Sequence, residues 1–166
     1  MPYPSLRVAN ELLSLHGDIS PMKLQKLLYY TNGWWLALRG KPLLNENPQV
    51  WRYGPVFSIL YSTFSRFGHD NIGQPVPAGP FGGEPPALED NGDDVRAFLE
   101  WVWGEHGTKT AGQLSDETHA IGTPWRQIAE QHNFRVPRFT EIPPHLDHAY
   151  FSRLAEARGV NPVPLG

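Results

Sequence analysis

The fold is decided by residues 20–40, which read SPMKLQKLLYYTNGWWLALRG. Ser20 can cap free backbone amides and Pro21 suits a first helical turn, so the pair predicts the start of a helix. Gly40 followed by Pro42 predicts its end. At about 100° per residue the apolar side chains form one stripe, which predicts a helix that faces the core. The stripe consists of Leu24, Leu27, Leu28, Thr31, Trp35 and Leu38.

The opposite side of this helix carries Gly33, with Lys26 and Tyr30 beside it. Because glycine has no side chain, a second element could approach the helix closely there, and the helix could be central. Lys23, Lys26 and Tyr30 lie away from the apolar stripe, and tyrosine favours protein interfaces. We therefore predict a partner-binding surface at these three residues; the alternative is a solvated or helix-covered side.

Further helices are indicated by apolar residues at helical spacing and by the residues at their ends. They are predicted over 5–16, from Gly54–Pro55 to Gly68, from Asn91 or Gly92 to 104–107, from Thr108 or Thr110 to Thr118, from Thr123–Pro124, and over 144–158. Residues 48–53, PQVWRY, are the best strand candidate, and one short strand cannot make a sheet. The predicted fold class is therefore all-α: six or seven helices around the 20–40 helix, with a minor hairpin near Trp51.

A long loop is predicted at residues 73–92, GQPVPAGPFGGEPPALEDNG, where proline and glycine make up half of the sequence. No pattern there supports regular structure, so we expect the loop to be flexible. The tail at 160–166, VNPVPLG, is expected to be loose. The length of 166 residues suits a single domain over 1–166.

Composition narrows the function classes. The 14 basic and 17 acidic side chains are scattered and give a net charge of −3, which argues against nucleic acid as the main partner. There is no cysteine, so disulfides and thiolate zinc sites are excluded. No run approaches the about 20 apolar residues that cross a bilayer. The first residues lack an unbroken signal-peptide core, and we expect a cytoplasmic protein.

Catalytic patterns are weak. Ser115 and His119 are four residues apart on a predicted helix, but a serine inside a helix has no evident oxyanion donors. His145 and His148 share a face without a third close ligand, and the glycine-rich stretch 79–83 lacks the lysine of a phosphate-binding loop. We therefore predict no enzyme activity, no metal and no cofactor; a small hydrolase that uses Ser115 and His119 is kept as an alternative.

Two further groups of residues have both a structural and a functional interpretation. Tyr53, Gly54 and Pro55 suit a tight turn, in which glycine permits unusual dihedral angles and proline presets φ. Trp125, directly after a predicted helix start, can drive its ring into the core, and His119 can be a buried hydrogen-bonding histidine. The chain has six tryptophans, and each large ring needs a core slot or a partner's pocket.

Three passages carry a family resemblance: LQKLLYYTNGWWLALRGKPLL at 24–44, VWRYGPVFSILYSTFSRFG at 50–68 and LSDETHAIGTPW at 114–125. They resemble the Panacea, or SocA-like, antitoxin family, which includes phage-associated proteins. The resemblance implies an antitoxin that neutralises a toxin from a neighbouring gene by direct binding, or an adaptor that hands it to a cytoplasmic AAA+ protease. A phage-derived regulator that touches DNA is a further alternative. The candidate partner-binding residues are Lys23, Lys26, Tyr30, Trp51, Tyr53, His119 and Trp125.

Overall fold

Helices dominate the chain, as the spacing of its apolar residues predicts. The computed structural model describes residues 2–89 and 92–160, and within them it has seven α-helices and one two-stranded antiparallel hairpin. The helices are α1 (Ser5–His16), α2 (Pro21–Arg39), α3 (Ser58–Phe64), α4 (Asp93–His106), α5 (Ala111–His119), α6 (Pro124–Gln131) and α7 (Pro144–Arg158). The strands are β1 (Gln49–Trp51) and β2 (Gly54–Val56). The all-α fold class with a minor hairpin is confirmed.

The central position of α2 is also confirmed. The Ser20 hydroxyl accepts a hydrogen bond from the Lys23 amide at 3.3 Å, and Gly40 ends the helix with a left-handed φ of 76°. Every other helix except α6 packs against α2, and α7 makes the largest contact. The close approach predicted at Gly33 is made by α7, because an added Cβ there would lie 2.1 Å from Cε2 of Phe151.

The predicted start of the third helix, at Gly54–Pro55, is wrong. Pro55 pairs with Val50 in the hairpin, and α3 begins only at Ser58. The physical reason lies in α2: the Gln25 amide accepts from the Phe57 N–H at 2.9 Å and donates to the Phe57 carbonyl at 3.0 Å. Both backbone groups are thereby held in an extended conformation. After α3, a single 3₁₀ turn continues to Gly68.

The 73–89 segment contains no helix or strand, as predicted, but it packs against the core. The side-chain amide of Asn10 donates to the carbonyls of Val76 at 3.0 Å and Pro86 at 2.9 Å, and its oxygen accepts from the Val76 N–H. Val76 and Leu88 are buried, whereas Phe81 is fully exposed. The flexibility of this loop stays a prediction. The candidate helix start at Asn91 and nearly all of the tail lie outside the described residues; α4 begins at Asp93.

The remaining helix starts follow their capping residues. Thr110 and Gln113 form a reciprocal capping box at the start of α5, and the Thr123 hydroxyl accepts from the Arg126 amide at the start of α6. These two starts place α5 and α6 beside the hairpin, where both contact it. Of the helices described, none combines the length and apolar character that a membrane crossing requires.

Candidate functional site

The hairpin turn at 51–56 is the point where α2, α5 and α6 meet. Four of its backbone carbonyls each face a polar side chain from one of these helices, at distances between 2.8 and 3.1 Å. The pairs are Trp51 with the Trp125 indole, Arg52 with His119 Nε2, Tyr53 with the Ser115 hydroxyl, and Pro55 with the Lys26 ammonium. The three passages singled out in the sequence therefore converge on one turn.

Lys26 lies beneath this turn. Its side chain is 1% exposed, and Nζ donates to the Pro55 carbonyl at 3.1 Å. Burial lowers the pKa of Lys26 to about 8, because the charged form loses its hydration. The expectation that Lys26 lies on a surface face is wrong, since the hairpin and α5 cover it. An added Cβ at Gly54 would lie 2.9 Å from Lys26 Cε and 2.7 Å from Thr118 Oγ1.

Tyr30 is also buried, contrary to the expectation of a free side. Its hydroxyl donates to Glu117 at 3.1 Å, and the same carboxylate pairs with Lys109 at 2.6 Å. Its ring stacks on His106 with centroids 4.1 Å apart and meets Phe151 edge-on. Burial, together with the Glu117 charge, raises the pKa of Tyr30 far above its ordinary value. The helix-covered alternative is therefore the correct one for this side of α2.

Lys23 is half-buried at the other end of the same side. Its ammonium donates to the Gly107 carbonyl at 2.6 Å and lies 5.2 Å from the centre of the Trp103 ring. A lysine at the C-terminus of α4 satisfies a free helix carbonyl and interacts favourably with the helix dipole. Lys23 thus joins α2 to α4 within the chain.

Ser115 and His119 do not form a nucleophile and base. The Ser115 hydroxyl donates to the Tyr53 carbonyl at 2.8 Å, and the His119 ring faces carbonyl oxygens rather than that hydroxyl. The His119 ring packs on Trp125 with centroids 4.1 Å apart. Both groups serve to hold the turn. Among the described residues no cluster of His, Asp and Glu is able to hold a metal ion.

Above the turn lies an exposed surface. Tyr53 is 57% exposed at the hairpin tip, and the Arg52 guanidinium lies over its ring. Tyr61 of α3 is half-exposed and packs on Trp51, with ring centroids 5.0 Å apart, and Ile121 projects into solvent after α5. The sequence singled out Trp51 and Tyr53 but missed Tyr61 and Ile121. Tyr61 lies on α3 and Ile121 in the turn between α5 and α6, and the sequence around them carries no signal that marks an exposed apolar side chain.

Together the fold and the turn define a class: an all-α domain in which Lys26, Ser115, His119 and Trp125 hold the backbone of one hairpin turn. The family described as "Antitoxin SocA-like, Panacea domain" matches residues 24–126, and this chain belongs to it. The relative named Antitoxin SocA, from Caulobacter vibrioides (strain NA1000 / CB15N), is 35% identical over 132 residues, which cover 74% of this chain and 68% of the relative. No solved structure matches the chain. Membership of an antitoxin family supports a non-enzymatic protein.

Proposed function

We propose that this chain is an antitoxin that neutralises a toxin, encoded by a neighbouring gene, by binding it through the surface above the 51–56 turn. The observation that carries the proposal is the set of four carbonyls held by side chains of α2, α5 and α6. A turn held in this way presents Tyr53 on a fixed backbone. Preorganisation lowers the entropy lost on binding, and exposed aromatic and arginine side chains are common interface anchors.

The surface fits binding better than catalysis because its polar groups are already used. The hydroxyl of Ser115, the ring of His119 and the ammonium of Lys26 each face a turn carbonyl. What remains accessible is apolar and aromatic area with one guanidinium beside it. Such area gains free energy when a partner removes it from water, at about 25 cal/mol per Å².

The test is co-expression of the chain with the product of the neighbouring gene, followed by growth and co-purification. The variant Tyr53→Ala with Tyr61→Ala should lose protection, since one buried interface anchor contributes about 2 kcal/mol or more, roughly thirtyfold in affinity. Phe81→Ala is the matched control, because Phe81 is also an exposed aromatic but lies on the 73–89 loop. Tyr53→Ala and Phe81→Ala should leave the melting temperature nearly unchanged, and Tyr61→Ala should lower it only slightly, because its half-exposed ring packs on Trp51.

Full protection by the Tyr53→Ala, Tyr61→Ala variant would place the toxin elsewhere on the molecule. Failure of the parent chain to bind or protect against the neighbouring gene product would remove the antitoxin proposal itself. The toxin's half-life in the same cells separates two modes of action. Masking leaves that half-life unchanged, and delivery to an AAA+ protease shortens it only when the chain is present.

A further inference from the structure

We propose that the binding surface continues from the 51–56 turn across residues 126–139 and recognises a polypeptide segment with carboxylates beside apolar side chains. The cationic aromatic face, as we name it, consists of three arginine–aromatic pairs: Arg52 with Tyr53, Arg126 with Phe134, and Arg138 with Phe139. The inference rests on the proposed function only for the identity of the partner. The kind of segment that the face would bind is supported by the geometry of the face alone.

The three pairs share one arrangement. Each guanidinium carbon lies over its aromatic ring, at 5.4, 5.1 and 5.2 Å from the ring centre. Phe134 is 57% exposed and Phe139 is 69% exposed, so neither ring is a core residue. A guanidinium that lies over a ring keeps N–H groups for a carboxylate, and Arg–carboxylate pairs can be bidentate. Ring and guanidinium together suit a segment that is both acidic and apolar.

Each pair lies on a segment that hydrogen bonds connect to the hairpin. His119 connects the first two: its ring faces the Arg52 carbonyl at 3.0 Å, and its own carbonyl accepts from Arg126 Nη1 at 3.2 Å. The third pair directly precedes Thr140, whose carbonyl accepts from the Val50 amide of β1 at 2.8 Å. Hydrogen bonds therefore join the segments that carry all three pairs to the hairpin.

The backbone at two of the aromatic residues is in an unfavourable conformation. Phe134 has φ 61° and Phe139 has φ 67°, in the left-handed region that bulky side chains rarely adopt. Burial does not offset this strain, because both rings are exposed. Strained conformations that the surrounding structure maintains occur preferentially at functional sites, including those that bind ligands. The strain is consistent with rings positioned for a partner.

The charge of the face is opposite to that of the chain. The whole chain has a net charge of −3, yet Arg52, Arg135 and Arg138 form no ion pair within the described residues. Of the nearby acids, Glu130 pairs with Arg126 at 3.0 Å, whereas Glu141 keeps its charge and accepts a hydrogen bond from the neutral Asn47 amide at 3.2 Å; the arginines still outnumber these two carboxylates. Free guanidinium groups favour a partner with carboxylates. A pI of about 6.1 argues against nucleic acid, whose binding domains are typically basic.

Selection from a displayed random-peptide library tests the face without knowledge of the toxin. The parent chain should enrich peptides in which Asp or Glu adjoins apolar residues, and their binding should weaken as salt is raised. The double variant Arg52→Glu, Arg138→Glu should bind the enriched peptides at least tenfold more weakly. Arg66→Glu is the matched control and should bind like the parent. Arg66 also lies over a ring, that of Phe67, but beside a separate cavity lined by residues 72–77.

A second variant separates strain from binding. Phe139→Gly should melt at the parent's temperature or above it, because glycine adopts positive φ readily, while peptide affinity falls about tenfold.

Enrichment of neutral or basic peptides, or equal binding by the double variant, would overturn the inference. The inference would also be overturned if the parent bound a short DNA duplex or single strand and the double variant did not. If the parent protects cells and the double variant protects equally, the inference fails while the antitoxin proposal stands. If the parent fails to bind the neighbouring gene product, the antitoxin proposal fails, and the peptide selection still decides the inference.

Discussion

Replacement of Gly54 should be far more damaging than replacement of its neighbour Pro55. Gly54 has φ 113°, which only glycine adopts at low cost, and a Cβ there would lie 2.7 Å from Thr118 Oγ1 and 2.9 Å from Lys26 Cε. Backbone strain of about 1–3 kcal/mol and overpacking of about 1–3 kcal/mol add to about 4 kcal/mol for Gly54→Ala. At about 2–4 °C per kcal/mol for a chain of this size, the melting temperature should fall by about 8–16 °C. Gly54→Val should lose more, because a β-branched side chain fits that φ still less well.

Pro55→Ala should lose only about 1–2 kcal/mol, from the freer unfolded chain and the smaller buried side chain. Thermal and urea melts followed by circular dichroism measure all three variants. A double-mutant cycle with Thr118→Ala locates the clash, since Gly54→Ala should cost less once Oγ1 is gone. Melting of Pro55→Ala at or below the temperature of Gly54→Ala, or an unchanged cost of Gly54→Ala in the Thr118→Ala background, would refute this account of the turn.

Three other perturbations test the core around α2. Gly33→Ala should destabilise by about 1–3 kcal/mol in urea melts, despite about 1 kcal/mol of better helix propensity, because its Cβ would meet the buried Phe151 ring at 2.1 Å; Phe151→Leu should relieve the loss. Burial lowers the pKa of Lys26 from 10.5 to about 8, so the unfolded chain binds more protons between those values. The stability of the parent relative to Lys26→Met should rise from pH 8 to 10, by up to about 1.4 kcal/mol per unit, and a flat difference would contradict this. Burial raises the pKa of Asp147 from 3.8 to about 7, opposed by the hydrogen bond from Tyr29, so parental stability should fall between about pH 4 and 7, and Asp147→Asn should remove that slope.

The sequence was sufficient for most of the helices and for the approach at Gly33. Apolar spacing and capping residues act locally, and they predict α1, α2 and α7 at or within one residue of their observed ends. Gly54 shows where local chemistry is ambiguous. A glycine–proline pair suits either a helix start or a turn. The hydrogen bonds from Gln25 of α2 to the Phe57 backbone stabilise the turn.

The partner surface could not be derived from one helix alone. A helical wheel placed Lys26 and Tyr30 away from the apolar stripe, but their hydrogen-bond partners lie 29 and 87 positions further along the chain. Distant partners of this kind allow polar side chains to be buried. A helical wheel considers one helix alone and therefore does not show these partners. The exposed rings of Phe134 and Phe139 were missed for a different reason, since both lie in the irregular segment between α6 and α7, where no helical period separates exposed from buried side chains.

The groove that Gly33 opens in α2 also has a consequence during synthesis. The bond between Tyr29 and Asp147 joins residues 118 positions apart, and α7 is the last helix described. At about 5–20 residues per second, ribosomes need about 6–24 s to make the intervening chain. Throughout that interval Tyr29, Tyr30 and Trp34 lack the Phe151 ring that covers them in the finished molecule. The nascent chain therefore exposes this aromatic groove until α7 has been made and packs against it.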